Sequence, residues 1–258
     1  MRILMYHQVV EGTPPNIHAV SAAVFRSQMH WLHASGYRSV LLEDGRQSLT
    51  DHARDDKAVA ITFDDGYLDC LTVALPILRE VGFNATVYLI AGLIGKTRTW
   101  DDGDDHSRPP FLSWEQAREG ADYGLRFGAH TMTHPNLTTL TPTQIEWELG
   151  ECRKVIEDKL GGAVTSLSYP YGAHSPLVRR LAAKSGYELA CACRPHYVGD
   201  PGTAPYSLQR LSMLATDTLP DFISKLEASW QRRMEWYNYL ARAIARQGMT
   251  RIGSVARG

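Results

Sequence analysis

The chain has 258 residues, a length that suits one large domain, and its 44% hydrophobic and 21% charged residues exclude global disorder. A formal net charge of −1 at pH 7 excludes a broad electrostatic attraction to nucleic acid. There is no signal-peptide core and no apolar run of about 18 residues, so no membrane span is expected. None of the cysteines has Cys-x-x-Cys spacing, which predicts a cytoplasmic protein with reduced thiols at Cys70, Cys152, Cys191 and Cys193.

Strand-like and helix-like segments alternate along the chain. Short apolar runs predict strands over residues 3–9, 37–42, 58–63, 85–90, 125–129, 164–169, 187–192 and 208–214. Apolar residues at helical spacing predict helices over residues 22–34, 71–81, 114–123, 142–160 and 177–185. The repeated strand-then-helix order predicts an α/β fold with a parallel sheet, and the number of units favours closure into a single-domain barrel.

The segment after the last predicted strand has a different pattern. We expect the barrel to span residues 1–217, a C-terminal helix over 218–250 to pack on it, and residues 251–258 to form a flexible tail. The helix carries aromatic and arginine side chains, which leaves peripheral contact with an anionic membrane surface as an alternative.

Polar or turn-forming residues follow several predicted strands at the point where each strand ends. Asp64-Asp65-Gly66 follows residues 58–63, His130 follows residues 125–129, and Tyr169-Pro170-Tyr171-Gly172 ends the strand that begins at residue 164. His7 lies near the end of the first strand. Because active sites of (β/α) barrels lie in the loops after the strands, we expect these side chains to converge on one mouth.

Two of these clusters supply the ligands of a hydrolytic metal site. His130 and His134 are four residues apart in a turn bounded by Gly128 and Pro135. With Asp65 they form a two-histidine, one-carboxylate set that is compatible with Zn²⁺ and also with Fe²⁺, Co²⁺ or Ni²⁺. A spare carboxylate, that of Asp64, is then available as a base. The alternatives are an ordinary solvated Asp-Asp-Gly turn and a pair of histidines without a ligand role.

These motifs resemble those of a known family. Thr62-Phe63-Asp64-Asp65-Gly66, His130-Thr131-Met132-Thr133-His134-Pro135 and Tyr169-Pro170-Tyr171-Gly172 are similar in order and spacing to the motifs of polysaccharide deacetylases with a NodB homology domain, carbohydrate esterase family 4. The resemblance extends from about Met1 to the strand near Leu214. It implies a distorted (β/α)7-type barrel and a metal-dependent hydrolase that removes acetyl groups from sugars.

The resemblance also implies roles for individual residues. Asp64 matches the general base of the family. The family's metal ligands correspond to Asp65, His130 and His134 in this chain. The backbone N–H of Tyr171 matches a donor that stabilises the oxyanion, a contribution typically worth roughly 2.7–4 kcal/mol. The resemblance thus implies one divalent metal ion, with zinc as our first choice.

Two positions depart from the common pattern of the family. Ser168 stands where many members have an arginine that holds the catalytic aspartate, and Arg210 is a candidate replacement. No C-terminal Leu-x-x-His segment supplies the general acid. The opening Leu4-Met5-Tyr6-His7 is instead similar to the branch with an N-terminal Tyr-His segment, so we nominate His7 as the acid. The alternative is a buried structural histidine.

The expected substrate is an N-acetylated sugar, glycan intermediate or glycolipid. Two alternatives stay open: an amide hydrolase acting on a non-sugar acylated or formylated small molecule, and a catalytically silent glycan-binding relative. We expect residues 96–111 to form a mobile acidic loop, with a substrate lid carrying Trp100 as the alternative. The oligomeric state is not predicted.

Overall fold

The computed structural model describes residues 1–44, 57–96, 110–193 and 205–227. Its main sheet is parallel throughout and has the strand order β10-β9-β8-β7-β6-β5-β1-β11, with β4 paired to β5. These strands are β1 (Arg2–Tyr6), β4 (Arg38–Ser39), β5 (Ala58–Phe63), β6 (Ala85–Leu89), β7 (Leu125–Ala129), β8 (Ser166–Ser168), β9 (Leu189–Ala192), β10 (Leu208–Gln209) and β11 (Leu211–Ser212).

Helices connect the strands and cover the outside of the sheet. They are α1 (Ala22–Ala34), α2 (Leu75–Glu80), α3 (Trp114–Asp122), α4 (Pro142–Leu160), α5 (Pro176–Lys184) and α6 (Leu219–Glu227). The sequence determines their starts through local capping: Ser113 with Gln116 and Thr141 with Gln144 form capping boxes at α3 and α4. At the other end of α4, Gly161 adopts a φ of 73°, which stops the helix.

The sheet closes through one interrupted strand. β10 pairs with β9 at one end of the strand order and β11 pairs with β1 at the other end. Only Arg210 separates β10 from β11 in sequence, so the sheet returns almost to its first strand. The result is a nearly closed parallel barrel, which confirms the predicted distorted (β/α)7-type fold.

The largest part of the core lies between the barrel and its helices, and a smaller cluster lies on the other face of the strands. All six residues of β5 are buried; Val59, Ile61 and Phe63 join the layer between barrel and helices, while Ala60 belongs to a separate cluster. That second cluster also contains Tyr88, whose ring approaches Gly128. A Cβ at Gly128 would lie 2.5 Å from the Tyr88 ring, so only glycine fits beside it.

Several predicted elements differ in detail. The strand expected over 3–9 breaks at His7: β1 ends at Tyr6, and β2 (Gln8–Val10) pairs instead with the unpredicted β3 (Ala19–Ser21) in a two-stranded sheet. The chain leaves the barrel at His7, which a continuous apolar pattern does not reveal. The strand expected over 37–42 is limited to β4, and the helix expected over 71–81 begins with a π-helical segment, Cys70–Ala74.

The described part of the C-terminal segment is α6, which packs on the barrel's helical layer. The Phe222 ring meets Trp31 of α1 edge-on at 6.1 Å, and Arg2 Nε donates to the Leu226 carbonyl at 2.6 Å. The remainder of the expected helix, the tail and the proposed lid around Trp100 lie outside the described residues. Within the described ranges, no helix has the length and apolar character needed to cross a bilayer.

Candidate metal centre and active site

Three potential metal ligands meet at the carboxyl end of the barrel. Asp65 follows β5, and His130 and His134 follow β7. The Asp65 Oδ1 atom lies 3.4 Å from His130 Nε2 and 3.7 Å from His134 Nε2. The candidate ligand atoms of all three residues lie within 4.8 Å of one another, and all three residues are buried. The structure therefore brings together the ligand set that the sequence predicts.

The orientation and charge of these side chains suit a divalent cation. His130 Nδ1 lies 2.8 Å from the Ser168 carbonyl, and the tautomer that donates this hydrogen bond leaves Nε2 as the ligand atom. Burial, reinforced by the His130 charge, lowers the pKa of His134 to about 3, so His134 is neutral. Burial opposes ionisation of Asp65, but the hydrogen bond with His130 and the nearby His7 charge lower its pKa. Two imidazoles and one carboxylate are a fitting donor set for zinc.

His130 behaves differently from His134. Burial lowers its pKa, but the Asp64 carboxylate and the hydrogen bond with Asp65 outweigh burial and raise the pKa above 6.5. A proton therefore competes for His130 more strongly than for the other imidazole. Metal binding at this centre therefore competes with protonation of His130.

The backbone turn after β5 explains how the adjacent residues Asp64 and Asp65 both contribute to the site at the carboxyl end of the barrel. In an extended strand their side chains would point to opposite faces. Asp65 instead has a φ of 75°, and Gly66 follows with a φ of 79°. The sequence assigns the turn to Gly66 alone, whereas the structure begins it at Asp65. This turn directs Asp65 to the histidines and leaves Asp64 facing the barrel interior.

Asp64 is held by Arg210, the residue between β10 and β11. Arg210 Nη1 donates to Asp64 Oδ1 at 2.7 Å and Nη2 donates to Oδ2 at 2.6 Å, with both side chains buried. Burial raises the pKa of Asp64, but the Arg210 charge outweighs it and lowers the pKa, so Asp64 is a carboxylate. The contact suggested for Arg210 from sequence is thus present as a bidentate pair.

Ser168 completes the surroundings of this pair. Arg210 Nη2 donates to Ser168 Oγ at 2.8 Å, and Ser168 Oγ donates to Asp64 Oδ2 at 3.2 Å. Arg210 Nη1 also donates to Thr62 Oγ1 at 3.2 Å, and its guanidinium lies 5.6 Å from the centre of the Tyr88 ring. A small side chain at position 168 leaves room for a guanidinium that arrives from the last strand.

The two remaining nominated residues lie at the same end of the barrel. His7 follows β1, close enough that a positive charge on it would lower the pKa values of Asp64 and Asp65. The Nδ1 atom of His7 is buried without a hydrogen-bond partner among the described residues, and its ring lies 5.0 Å from that of His18. Tyr171 has a φ of 59° and packs its ring against His134 at 4.8 Å. Their roles as acid and oxyanion donor stay predictions.

The structure adds residues that the sequence pattern did not single out. Glu148 of α4 is buried and binds the loop that carries the two histidines. Its signal in the sequence is a carboxylate on the apolar face formed by Ile145, Leu149 and Cys152. His174, which follows the Tyr169-Pro170-Tyr171-Gly172 motif, is also buried, and burial lowers its pKa to about 4.

Comparison with known proteins agrees with this architecture. A family model described as polysaccharide deacetylase matches residues 51–190, more than half of the chain. The chain therefore belongs to the polysaccharide deacetylase family. The Streptococcus pyogenes deacetylase PplD, solved in complex with acetate, shares its fold: the TM-score is 0.75 at 24% identity, covering 88% of this chain and 98% of PplD.

Two relatives illustrate the extent of sequence similarity. The chain is 32% identical over 194 residues to YxkH of Bacillus subtilis, covering 75% of this chain and 64% of YxkH. It is 30% identical over 135 residues to the chitooligosaccharide deacetylase of Azorhizobium caulinodans, covering 52% of this chain and 57% of that protein. The chain spans less than two thirds of either relative.

Proposed function

We propose that this chain is a metal-dependent hydrolase that removes an N-acetyl group from a sugar, glycan intermediate or glycolipid. The observation that carries the proposal is that the adjacent carboxylates of Asp64 and Asp65 have different partners. Asp65 lies against His130 and His134, whereas Asp64 is held apart by Arg210. A site that only bound a metal would need the first arrangement but not the second.

Asp65, His130 and His134 would hold a divalent cation, which would polarise the acetyl carbonyl and lower the pKa of the attacking water. Asp64 takes the proton from that water at a carboxylate oxygen as the water oxygen bonds to the carbonyl carbon. Arg210 keeps Asp64 ionised and fixed for this transfer, because it binds both carboxylate oxygens. Positioned proton transfer of this kind typically contributes roughly 10²- to 10⁴-fold in rate.

The second half of the reaction requires an oxyanion donor and an acid. We assign the backbone N–H of Tyr171 to the oxyanion, since its left-handed φ of 59° distinguishes this turn at the mouth. We assign His7 to donate a proton to the leaving nitrogen as the carbon–nitrogen bond breaks. The amide and one water give acetic acid and the free amine, and proton exchange between these products leaves acetate and the sugar's ammonium group. The proton gained by Asp64 and the proton lost by His7 are exchanged with solvent, so atoms and charge balance.

Zinc is the proposed native metal, supported by the two-imidazole, one-carboxylate donor set. Metal analysis of protein purified without chelators tests this choice against cobalt, nickel and iron. An N-acetylated glycan is supported as substrate by similarity to the chitooligosaccharide deacetylase. The cytoplasmic location stays a prediction from the sequence, which cell fractionation would test.

Acetate release tests the proposed function. Metal-loaded protein would be incubated with N-acetylated monosaccharides, nucleotide sugars and short N-acetylglucosamine oligomers, in parallel with chelated and metal-restored samples. We expect release that disappears on chelation and returns with the metal. Release only from N-formyl or non-sugar amides would favour the alternative hydrolase, and metal binding with no turnover on any substrate would favour a silent glycan-binding protein.

A further inference from the structure

The loop that carries the two histidine ligands has a conformation that its own residues disfavour. Between His130 and His134, Thr131 has a φ of 67°, and His134 itself has a φ of 62°. Residues with a Cβ rarely adopt this left-handed region, because the Cβ approaches the following carbonyl oxygen. One contact that supports this conformation lies within the loop, where the N–H of His134 donates to Thr131 Oγ1 at 3.0 Å. The other contacts come from outside the loop.

Glu148 supplies the contacts on one side of the loop. Its Oε2 atom accepts hydrogen bonds from the backbone N–H groups of Met132 at 2.8 Å and Thr133 at 3.0 Å. Its Oε1 atom accepts from Thr133 Oγ1 at 2.5 Å. Glu148 is only 5% exposed, so these bonds are made largely out of water. One buried carboxylate thus binds both residues at the centre of the loop.

The opposite side of the loop is held by the segment after β6. The N–H of Ala91 donates to the Thr131 carbonyl at 3.1 Å, and the N–H of Gly92 donates to the Met132 carbonyl at 2.9 Å. A Cβ at position 92 would lie 2.5 Å from that Met132 oxygen, so only glycine permits the approach. Glu148 thus accepts hydrogen bonds from the N–H groups of the loop, whereas this segment donates hydrogen bonds to the loop's carbonyl groups. Without Glu148, the N–H groups of Met132 and Thr133 would lose their partner.

We propose that Glu148 is a positioning residue that holds the His130–His134 loop in its ligand-bearing conformation. This inference rests on the proposed function, because it takes His130 and His134 as metal ligands. Glu148 itself does not belong to the cluster of candidate ligand atoms. Its effect reaches the metal through the backbone of Met132 and Thr133.

Zinc affinity tests this role through a series of variants. Competition with a chromophoric chelator would measure the Kd of zinc for wild type, Glu148→Ala, Glu148→Gln and Glu151→Ala. Loss of a partner that orients metal ligands typically weakens binding about 10- to 100-fold, which we expect for Glu148→Ala. Glutamine keeps one acceptor oxygen for the two N–H groups and an amide that can donate to Thr133 Oγ1, so we expect a loss of several-fold. Glu151, on the same helix, is the control and should bind zinc like wild type.

A second measurement separates positioning from general stabilisation. Hydrogen exchange of the metal-free protein should show faster exchange at the amides of Met132 and Thr133 in Glu148→Ala, since both lose their acceptor. Saturating zinc should restore much of the acetate release, because the ligands themselves remain. A residue with a merely structural role would lower the Tm of the metal-free protein but leave the zinc Kd unchanged.

The outcomes are distinguishable. Wild-type zinc affinity in both Glu148→Ala and Glu148→Gln would overturn the role of Glu148 while leaving the proposed function intact. If Glu148→Ala does not fold, Glu148→Gln decides: unchanged affinity refutes the proposal, and a several-fold loss supports it. Wild-type protein that binds no divalent metal would refute the proposed function itself, and this inference with it.

Discussion

The two ends of the barrel make their tight turns with different residues. At the amino end, five connections from a helix to the next strand carry glycine at positive φ: Gly36, Gly82, Gly124, Gly161 and Gly186. At the carboxyl end, positive φ values occur at glycines such as Gly66 and Gly172 and also at residues whose side chains belong to the candidate site. Among the described residues, the non-glycine positions of this kind are Asp65, Thr131, His134 and Tyr171.

The difference shows that the carboxyl end keeps its functional side chains even where the backbone φ is unfavourable for them. At Gly36 and Gly82 a Cβ would meet nothing within 4 Å. Glycine is therefore favoured at these positions by the positive φ and not by a lack of space for a side chain. At the carboxyl end glycine would relieve the backbone but would remove Asp65 or His134 from the metal centre. A non-glycine residue in this region costs roughly 1–2 kcal/mol. Such strain at one end only is typical of a functional site.

Replacing Arg210 should have the largest effect on stability. Arg210→Met leaves the buried Asp64 carboxylate without its cation, and breaking a buried pair this way typically costs about 3–5 kcal/mol. Urea denaturation would measure the free energy of unfolding, and turnover should be lost as well. Arg26→Met, at an exposed pair with Glu80, is the matched control and should change little. An unchanged free energy of unfolding in Arg210→Met would show that the Asp64 pair does not stabilise the carboxyl end.

A substitution at the amino end should separate stability from function. Gly82→Ala places a Cβ at a φ of 68° without any steric contact, so we expect a loss of about 1–2 kcal/mol from backbone strain alone. Zinc Kd and acetate release should equal those of wild type. Impaired zinc binding by Gly82→Ala, with an unchanged free energy of unfolding, would contradict the claim that the amino-end turns affect stability alone.

The smallest effect, taken over the single pH unit from 6 to 5, concerns the acid sensitivity of the carboxyl end. Burial lowers the pKa of His174 to about 4, so the unfolded state binds a proton between pH 6.5 and 4 that the folded state does not. Stability contributed by neutral His174 therefore falls as pH drops through this window, by at most about 1.4 kcal/mol per pH unit. His174→Gln should flatten the pH dependence of unfolding between pH 6 and 5. Exposed His33 serves as control, and an identical slope in wild type and His174→Gln would contradict the prediction.

The sequence predicts the convergence of the site well because it follows from topology. Loops after parallel strands meet at one end of a barrel, so Asp65 and His130 could be placed together once β5 and β7 were recognised. Arg210 is nominated from the family resemblance instead, and the structure places it against Asp64. The domain boundaries at 217 and 250, zinc and the cytoplasmic location stay predictions.

Other features depend on packing that a linear pattern does not encode. The left-handed φ of Asp65 follows from the turn required to separate it from Asp64, although Gly66 is the residue that sequence rules favour there. Glu148 lies 14 residues beyond His134, and only the packing of α4 against β7 brings it to the histidine loop. The break at His7 likewise depends on pairing with β3, a strand of three residues.

The most direct test of the account compares wild type with Asp64→Asn at saturating zinc. The change removes the base but leaves Asp65, His130 and His134 as ligands. We expect the variant to bind zinc with a Kd close to that of wild type and to release acetate from its best N-acetylated substrate roughly 10²- to 10⁴-fold more slowly. Acetate release at the wild-type rate, with zinc equally bound, would contradict the assignment of Asp64 and Asp65 to separate tasks.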